Sequence, residues 1–191
     1  MSDLDLASLH ARALEEVGPV VAGIAEDQWS LPTPCADWDV RTLANHIVAG
    51  NWWAAELATG ATVAEVGDRL DGDVLGDDAD AAYTASAAAA AAAFGRPGAM
   101  DAPCAVSYGP VPGSVYCGHR FLDVLVHGWD LATATGQAAV IDPQLAEACL
   151  EVVAPQHDAL VASGMFGNGP LPVADDAPAA ERLLAVLGRT P

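Results

Sequence analysis

Apolar residues recur every three or four positions in successive segments of this chain, which is the spacing of one face of an α-helix. The pattern predicts long helices over residues 4–28, 40–57, 77–94, 114–135 and 142–163, with a short helix over 179–187. Prolines and glycines separate these segments. For 191 residues this count predicts an all-α helical bundle, and we expect one domain over residues 1–191.

Individual residues predict how several of these segments begin, bend or connect. Asp39 and Ser114 stand where helix N-caps belong, because their side chains can accept a hydrogen bond from the first turn. Pro19 falls inside the first helical segment and is expected to kink or divide it. Residues 59–80 are expected to form an acidic linker. A short hairpin around residues 105–109 is the one strand pair that the sequence suggests.

The charge balance excludes two classes of partner. The chain has 7 Lys and Arg residues, all of them Arg, against 26 Asp and Glu residues, for a formal charge of −19. Phosphate backbones and anionic membrane surfaces both require clustered positive charge. No stretch of about 18 apolar residues is present to span a bilayer. We therefore expect no nucleic-acid partner and no membrane association.

The cysteines and the N-terminal segment bear on the cellular compartment. The four cysteines, Cys35, Cys104, Cys117 and Cys149, are scattered without a CxxC pair. Such a set is typical of a reduced cytosolic protein, with a disulfide between two of them as the alternative. The first 16 residues are acidic and have neither the basic nor the apolar region of a secretory signal. These features predict a cytoplasmic location.

Acidic residues and histidines share one face of the fourth predicted long helix. Asp123 and His127 are four positions apart, so both project from the same side of that helix and could hold one metal ion. His119 stands four positions before Asp123 and is an alternative partner for it. Asp130 lies on the same stripe. His46 falls within the apolar stripe of the second helix and could supply a further ligand.

This spacing does not establish a metal site. With 26 acidic residues and 5 histidines in the chain, one or two such pairs are expected by chance. Asp123 and His127 could be an ordinary ion pair, and His46 a core histidine bonded to a backbone carbonyl. Arg120 could form a salt bridge with Asp123 or bind an anionic ligand. Cys35 could be a thiolate nucleophile, a metal ligand or only a small loop cysteine. Motifs for a nucleophile elbow, a P-loop and an HExxH zinc site are all missing.

Longer sequence strings carry a more specific resemblance. TPCADWDVRTLANHIVAG (33–50) and LDVLVHGWDLATATGQ (122–137) resemble the two motifs of the mycothiol-dependent maleylpyruvate isomerase N-terminal family. The ending ERLLAVLGRTP (181–191) resembles the tail of a short actinobacterial subgroup described as metal-binding proteins. This family is similar to the DinB/YfiT-like metalloenzymes. The resemblance covers nearly the whole chain.

The resemblance implies a fold, a metal and a cofactor. It implies a DinB/YfiT-like four-helix bundle with additional short helices. It also implies a divalent metal held by His46, Asp123 and His127, with zinc first and nickel or manganese as alternatives, and it selects His127 over His119. Three protein ligands leave coordination positions open, as in catalytic zinc sites. Mycothiol or another small thiol would bind there, with Arg120 as a contact, and react with an electrophilic substrate.

Two departures from the isomerase shape the functional prediction. The isomerase resembles this chain only in its N-terminal part, and it has Glu at the position of Asp123. We therefore expect a thiol-dependent S-transferase or isomerase of another substrate, with no catalytic residue assigned. A non-catalytic metal- or ligand-binding module of the same fold is the alternative, and a plain helical scaffold is a third reading. Alanine-rich helix faces are compatible with a homodimer.

Overall fold

Seven α-helices account for most of the structure, a computed structural model that describes residues 5–158, 170–174 and 176–190. In chain order they are α1 (Leu6–Ala22), α2 (Val40–Ala58), α3 (Val63–Val66), α4 (Ala79–Phe94), α5 (Gly113–Ala134), α6 (Pro143–Val153) and α7 (Ala179–Val186). The long helices α1 and α2 each pack against both α4 and α5, which closes a four-helix bundle. The predicted all-α fold is confirmed.

The remaining elements lie around this bundle. α6 packs against α5 and against α7. Strands β1 (Pro103–Val106) and β2 (Gly109–Pro112) form an antiparallel hairpin between α4 and α5. Two 3-10 turns, Glu26–Gln28 and Ala154–Gln156, follow α1 and α6. None of the helices in the described part of the chain is long and apolar enough to cross a membrane.

The helix α2 shows how the sequence sets the bundle. Its predicted apolar stripe is buried, with Leu43, Ile47 and Ala54 at 0% exposure. At its first turn the Asp39 carboxylate accepts a hydrogen bond from the Thr42 backbone N–H at 2.8 Å, which confirms Asp39 as the N-cap. The stripe and the cap together fix where α2 starts and which face it turns to the core. That face brings α2 alongside α5.

The start of α5 differs from the prediction. The helix begins at Gly113, and its N-cap residue makes no side-chain hydrogen bond, so the prediction of a Ser114 cap is wrong. The backbone N–H groups of Gly113 and Ser114 donate instead to the carbonyls of Ala102 and Met100, both at 2.8 Å. Because the preceding segment already satisfies these first-turn donors, no side-chain cap is needed.

Other segments differ in extent. Pro19 does not divide α1, because it lies in the last turn and the carbonyl that loses its partner belongs to exposed Glu15. The expected hairpin is present, and its strands are longer than residues 105–109.

Two predicted segments have different contents or ends. The acidic linker contains the short helix α3, which begins with a capping box at Thr62. The fifth long helix ends at Val153, before the 3-10 turn that contains Pro155. Its predicted residues 159–163 lie outside the described residues.

Candidate metal centre

The three predicted ligands come together where α2 faces α5. The nearest ligand atoms of His46, Asp123 and His127 all lie within 4.8 Å of one another. Asp123 Oδ1 is 3.1 Å from His46 Nε2 and 3.5 Å from His127 Nε2. The two imidazole rings are almost perpendicular, at 88°, with their centroids 5.2 Å apart. One carboxylate oxygen therefore stands between two imidazole nitrogens.

This group is open on one side and closed on the other. The side chain of His46 is 36% exposed and that of Asp123 is 24% exposed, whereas His127 is 9% exposed. Solvent therefore reaches the group at His46 and Asp123 rather than at His127.

The loop before α2 covers part of this opening. The Trp38 ring packs on the His46 ring with centroids 4.7 Å apart. Hydrogen bonds of Thr33 hold the two ends of this loop together. The Thr33 hydroxyl can donate to the Trp38 carbonyl at 2.9 Å and accepts from the Cys35 backbone N–H at 3.1 Å. Asp37 has a left-handed φ of 67°, which turns the chain back toward the helix. Trp38 is thereby held against His46.

Arg120 binds the other oxygen of Asp123. Its Nη1 donates to Asp123 Oδ2 at 2.9 Å, and its Nη2 donates to the Asn51 amide oxygen at 3.3 Å. The guanidinium lies directly over Gly50, where a Cβ atom would overlap it. The salt bridge considered from the sequence is therefore present. It leaves Asp123 Oδ1 as the oxygen that faces the two histidines.

A second layer of charge lies behind His127. Its Nδ1 is 3.0 Å from Asp130 Oδ2, and Asp130 is fully buried. Arg189, from the segment after α7, binds both oxygens of Asp130: Nη2 donates to Oδ2 at 2.8 Å and Nε donates to Oδ1 at 3.2 Å. His127 thus has a carboxylate at each ring nitrogen, and the deeper carboxylate has its own buried cation.

Cys35 lies beside this second layer. Its Sγ is 3.6 Å from His127 Nδ1, 3.5 Å from Asp130 Oδ2 and 3.1 Å from Arg189 Nη2. Cys35, His127 and Asp130 therefore form a second group whose ligand atoms lie within 4.8 Å. Arg189 donates to both oxygens of Asp130 and to the Cys35 sulfur, which disfavours a metal cation there, whereas Arg120 donates only to Oδ2 of Asp123 and leaves Oδ1 facing the two histidines. The group that contains His46 is the better candidate.

The electrostatics of the site follow from these contacts. Burial opposes ionisation of Asp123, but Arg120 and His127 outweigh it and hold its pKa well below the usual range. Burial likewise opposes protonation of His127, but Asp123 and Asp130 hold its pKa well above the usual range. The pKa of Asp130 is lowered, because hydrogen bonds from His127 and Arg189 outweigh burial. The site is therefore built to hold positive charge among carboxylates.

Two residues correct or extend the sequence analysis. His119 is not in the group, because its Nδ1 binds the Tyr108 hydroxyl at 2.6 Å and its Nε2 is 2.9 Å from the Gln156 amide oxygen. Arg189 was not predicted at all. No spacing rule connects it to Asp130, which lies 59 residues earlier. The only signal in the sequence was that its tail string resembles a known subgroup.

Comparison with known proteins now decides the family. A model of the mycothiol maleylpyruvate isomerase N-terminal domain family matches residues 10–132, which is more than half of the chain. The chain belongs to that family. The matched region contains His46, Asp123, His127 and Asp130. Arg189 lies outside it.

Full-length relatives are found in mycobacteria. Two uncharacterized proteins, from Mycobacterium tuberculosis strains CDC 1551 / Oshkosh and ATCC 25618 / H37Rv, are each 39% identical to this family member over 193 aligned positions. Each alignment covers 98% of this chain and 99% of the relative. No solved structure matches the chain.

Proposed function

We propose that this protein binds a divalent metal ion through His46, Asp123 and His127. We further propose that the ion binds a small thiol, mycothiol or a similar compound, for S-transfer to an electrophilic substrate or for its isomerisation. The observation that carries this proposal is the convergence of two imidazole nitrogens on one carboxylate oxygen, within 4.8 Å, from two different helices. Membership of the family supports the choice of a thiol.

The donor spacing suits a small tetrahedral ion. Zinc ligands lie about 2.0–2.2 Å from the metal, so neighbouring donors of a tetrahedron are separated by about 3.3 Å. The separations of 3.1 and 3.5 Å around Asp123 Oδ1 bracket that value. Two imidazoles and one carboxylate are also the donor set of known catalytic zinc sites. Nickel and manganese accept the same donors and remain alternatives to zinc.

The residues around the ligands suit a reacting thiol. A bound divalent cation lowers the pKa of a coordinated thiol, so the group would supply a thiolate near neutral pH. The exposed sides of His46 and Asp123 give the thiol access, and Trp38 shields the site beside His46. Arg120 is a proposed contact for the thiol, because a ligand next to Asp123 meets its positive charge.

Metal content tests the core of the proposal. Protein purified without a His-tag is analysed by elemental mass spectrometry as wild type, His46→Ala, His127→Ala and His119→Ala. We expect about one divalent ion per chain in the wild type and in His119→Ala, because His119 lies outside the group. We expect its loss in the other two variants. Equal metal content in all four proteins, or none in the wild type after loading with zinc, nickel and manganese, would contradict the proposal.

A second candidate function is a binding module without turnover. It is favoured by the family match itself, which is to a model of one N-terminal domain of an isomerase and ends at residue 132. Metal-loaded protein is titrated with the thiol by calorimetry, and then given the thiol together with epoxides and maleylpyruvate. Thiol binding without an adduct or isomer above the metal-free control supports the module. Turnover supports the enzyme.

Two further expectations remain proposals. We propose a cytoplasmic location, with which the four free cysteine thiols of the structure are compatible. Cell fractionation tests it. We also retain the homodimer as a proposal, and light scattering of the purified protein tests it.

A further inference from the structure

His127 presents its two ring nitrogens to two different surroundings. Nε2 faces Asp123 Oδ1 at 3.5 Å, on the side of the proposed ligands. Nδ1 faces Asp130 Oδ2 at 3.0 Å, on the side of the core. A hydrogen bond at Nδ1 fixes both the tautomer and the rotation of an imidazole that ligates through Nε2. The direction of His127 Nε2 therefore depends on where Asp130 is held.

The buried Asp130 carboxylate requires a charged partner. It is fully buried, and an unpaired carboxylate there would pay a large desolvation cost. Arg189 offsets this cost with two hydrogen bonds, at 2.8 and 3.2 Å, one to each carboxylate oxygen. Such a two-point contact fixes the orientation of the carboxylate as well as its position. The Arg189 guanidinium is itself oriented by a hydrogen bond from Nη1 to the Leu187 carbonyl at 2.8 Å.

The same guanidinium reaches the loop that covers the site. Arg189 Nη2 lies 3.1 Å from Cys35 Sγ. Cys35 belongs to the loop closed by Thr33, which also carries Trp38 against His46. Arg189 therefore touches the loop on one side and Asp130 on the other. Within the described residues its hydrogen bonds go to Asp130, to Cys35 and to the Leu187 carbonyl, and none of them involves a proposed ligand atom.

We infer that Arg189 is a positioning residue of the metal centre, which acts by orienting Asp130 and, through it, His127. This inference rests on the proposed function. It assigns a role to the segment that follows α7, which lies outside the residues matched by the family model. In this protein the centre is a unit of four segments: the loop before α2, then α2, α5 and the segment after α7. The loop and α2 fall within the matched residues, and so does α5 as far as Ala132.

Metal affinity and coordination test the inference, with the full chain throughout. The variants are Arg189→Met, Arg189→Lys, Asp130→Asn and the control Arg182→Met. Arg182 lies on α7 and pairs with Glu147 at 2.8 Å, at a more exposed place. Zinc affinity is measured on the folded metal-free proteins by competition with a chromophoric chelator. The visible absorption of cobalt-loaded protein reports the geometry of coordination.

We expect zinc to bind about 10- to 100-fold more weakly to Arg189→Met and to Asp130→Asn, as for other residues that orient a metal-bound histidine. Their cobalt spectra should shift. Arg189→Lys should recover part of the affinity, because it restores charge but not the two-point contact. Arg182→Met should bind zinc as the wild type does. A residue with a merely structural role would lower stability without changing the cobalt spectrum of the folded protein.

The results that overturn the inference differ from those that overturn the proposed function. If Arg189→Lys and Asp130→Asn both bind zinc within twofold of the wild type with unchanged cobalt spectra, Arg189 does not position the centre, and the proposed function stands. If Arg189→Met does not fold, Arg189→Lys and Asp130→Asn still test whether Arg189 positions the metal centre. If the wild type binds neither zinc nor cobalt, the proposed function fails and the inference falls with it.

Discussion

His127 and His10 both lie in the interior of the bundle, on α5 and α1 respectively. His127 has a carboxylate near each ring nitrogen, Asp123 at 3.5 Å and Asp130 at 3.0 Å. His10 is fully buried, and neither of its nitrogens has a hydrogen-bond partner in the part of the chain that the structure describes. Its ring stands edge-on to Phe94, with centroids 5.2 Å apart.

The difference appears in the charge that each ring can carry. The pKa of His127 is well above the usual range because carboxylates outweigh burial. Burial, aided by the charge of Arg120, lowers the pKa of His10 to about 3. Burial alone therefore does not mark a functional histidine in this protein. The paired carboxylates distinguish His127, the proposed ligand, from His10, and the following predictions test that distinction.

The largest expected effect is the acid sensitivity that His10 confers. Between pH 6.5 and about 3, His10 is protonated in the unfolded chain but remains neutral in the folded protein. Because the unfolded chain then binds more protons, the free energy of unfolding falls as the pH falls. The full loss is roughly 5 kcal/mol at about 1.4 kcal/mol per pH unit. We expect His10→Phe, which cannot be protonated, to lack this loss. Urea unfolding of both proteins at several pH values measures the difference.

Carboxylates contribute the same acid response to both proteins, so only the gap between the two curves counts. Parallel curves for the wild type and His10→Phe would show that His10 has the same pKa in the folded and unfolded chain, and they would contradict the contrast drawn here between His10 and His127. Zinc affinity at neutral pH serves as the control. It should be the same in both proteins, because His10 is outside the proposed ligand group.

The next effect concerns the charge pair that supports His127. Arg189→Met leaves His127 as the remaining charged partner of the buried Asp130 carboxylate, and this loss of the guanidinium is expected to lower the free energy of unfolding by up to about 3–5 kcal/mol in metal-free protein. Arg182→Met breaks a more exposed pair with Glu147 and should cost about 1 kcal/mol or less. Denaturant titration at neutral pH compares them. Similar losses for the two variants would contradict the structural distinction between these pairs.

A smaller effect is expected where the helices of the two histidines touch. A Cβ atom at Gly128, next to His127 on α5, would overlap the Val17 side chain of α1. Gly128→Ala should therefore destabilise by about 1–3 kcal/mol despite the better helix propensity of alanine. Gly118→Ala, on the same helix, is the matched control, because its Cβ would meet only the two methyl groups of Val152, at 3.1 and 3.9 Å. Thermal melts that rank Gly118→Ala as the worse variant would refute this account.

The smallest effect separates stability from metal binding. Asp5 caps α1, which carries His10, and Asp39 caps α2, which carries His46. Replacing either with alanine should cost about 1 kcal/mol of stability. Only Asp39→Ala is expected to weaken zinc binding as well, because of these two capped helices α2 carries a proposed ligand, His46, and α1 carries none. Chelator competition on both variants tests this, and equal zinc affinities would argue against it.

Sequence reasoning found the parts of this molecule that local rules govern. The stripe of Leu43 and Ile47, the cap at Asp39 and the family strings predicted the bundle and brought His46, Asp123 and His127 into one hypothesis. Asp130 was visible as a member of the same helical stripe. Each of these features depends on a few neighbouring residues, so it can be predicted from a single sequence.

What sequence reasoning missed depends on tertiary packing. Ser114 looked like a cap, but backbone carbonyls from the preceding segment had already satisfied the first turn of α5. Arg189 reaches Asp130 only because α7 packs on α6 and α6 packs on α5. Cys35 was close to His46 in sequence, yet its sulfur lies behind His127. None of these contacts leaves a periodic or spacing signal.

The close packing of Arg120 over Gly50 has a consequence for the history of the family. No side chain larger than hydrogen fits at position 50 while the guanidinium lies there. A relative that has lost the arginine at position 120 could accept a side chain at position 50. A relative that gained a side chain at position 50 first would displace the guanidinium that binds Asp123. Across an alignment of relatives, positions 50 and 120 are therefore expected to change together. The arginine should be the first of the two to be replaced.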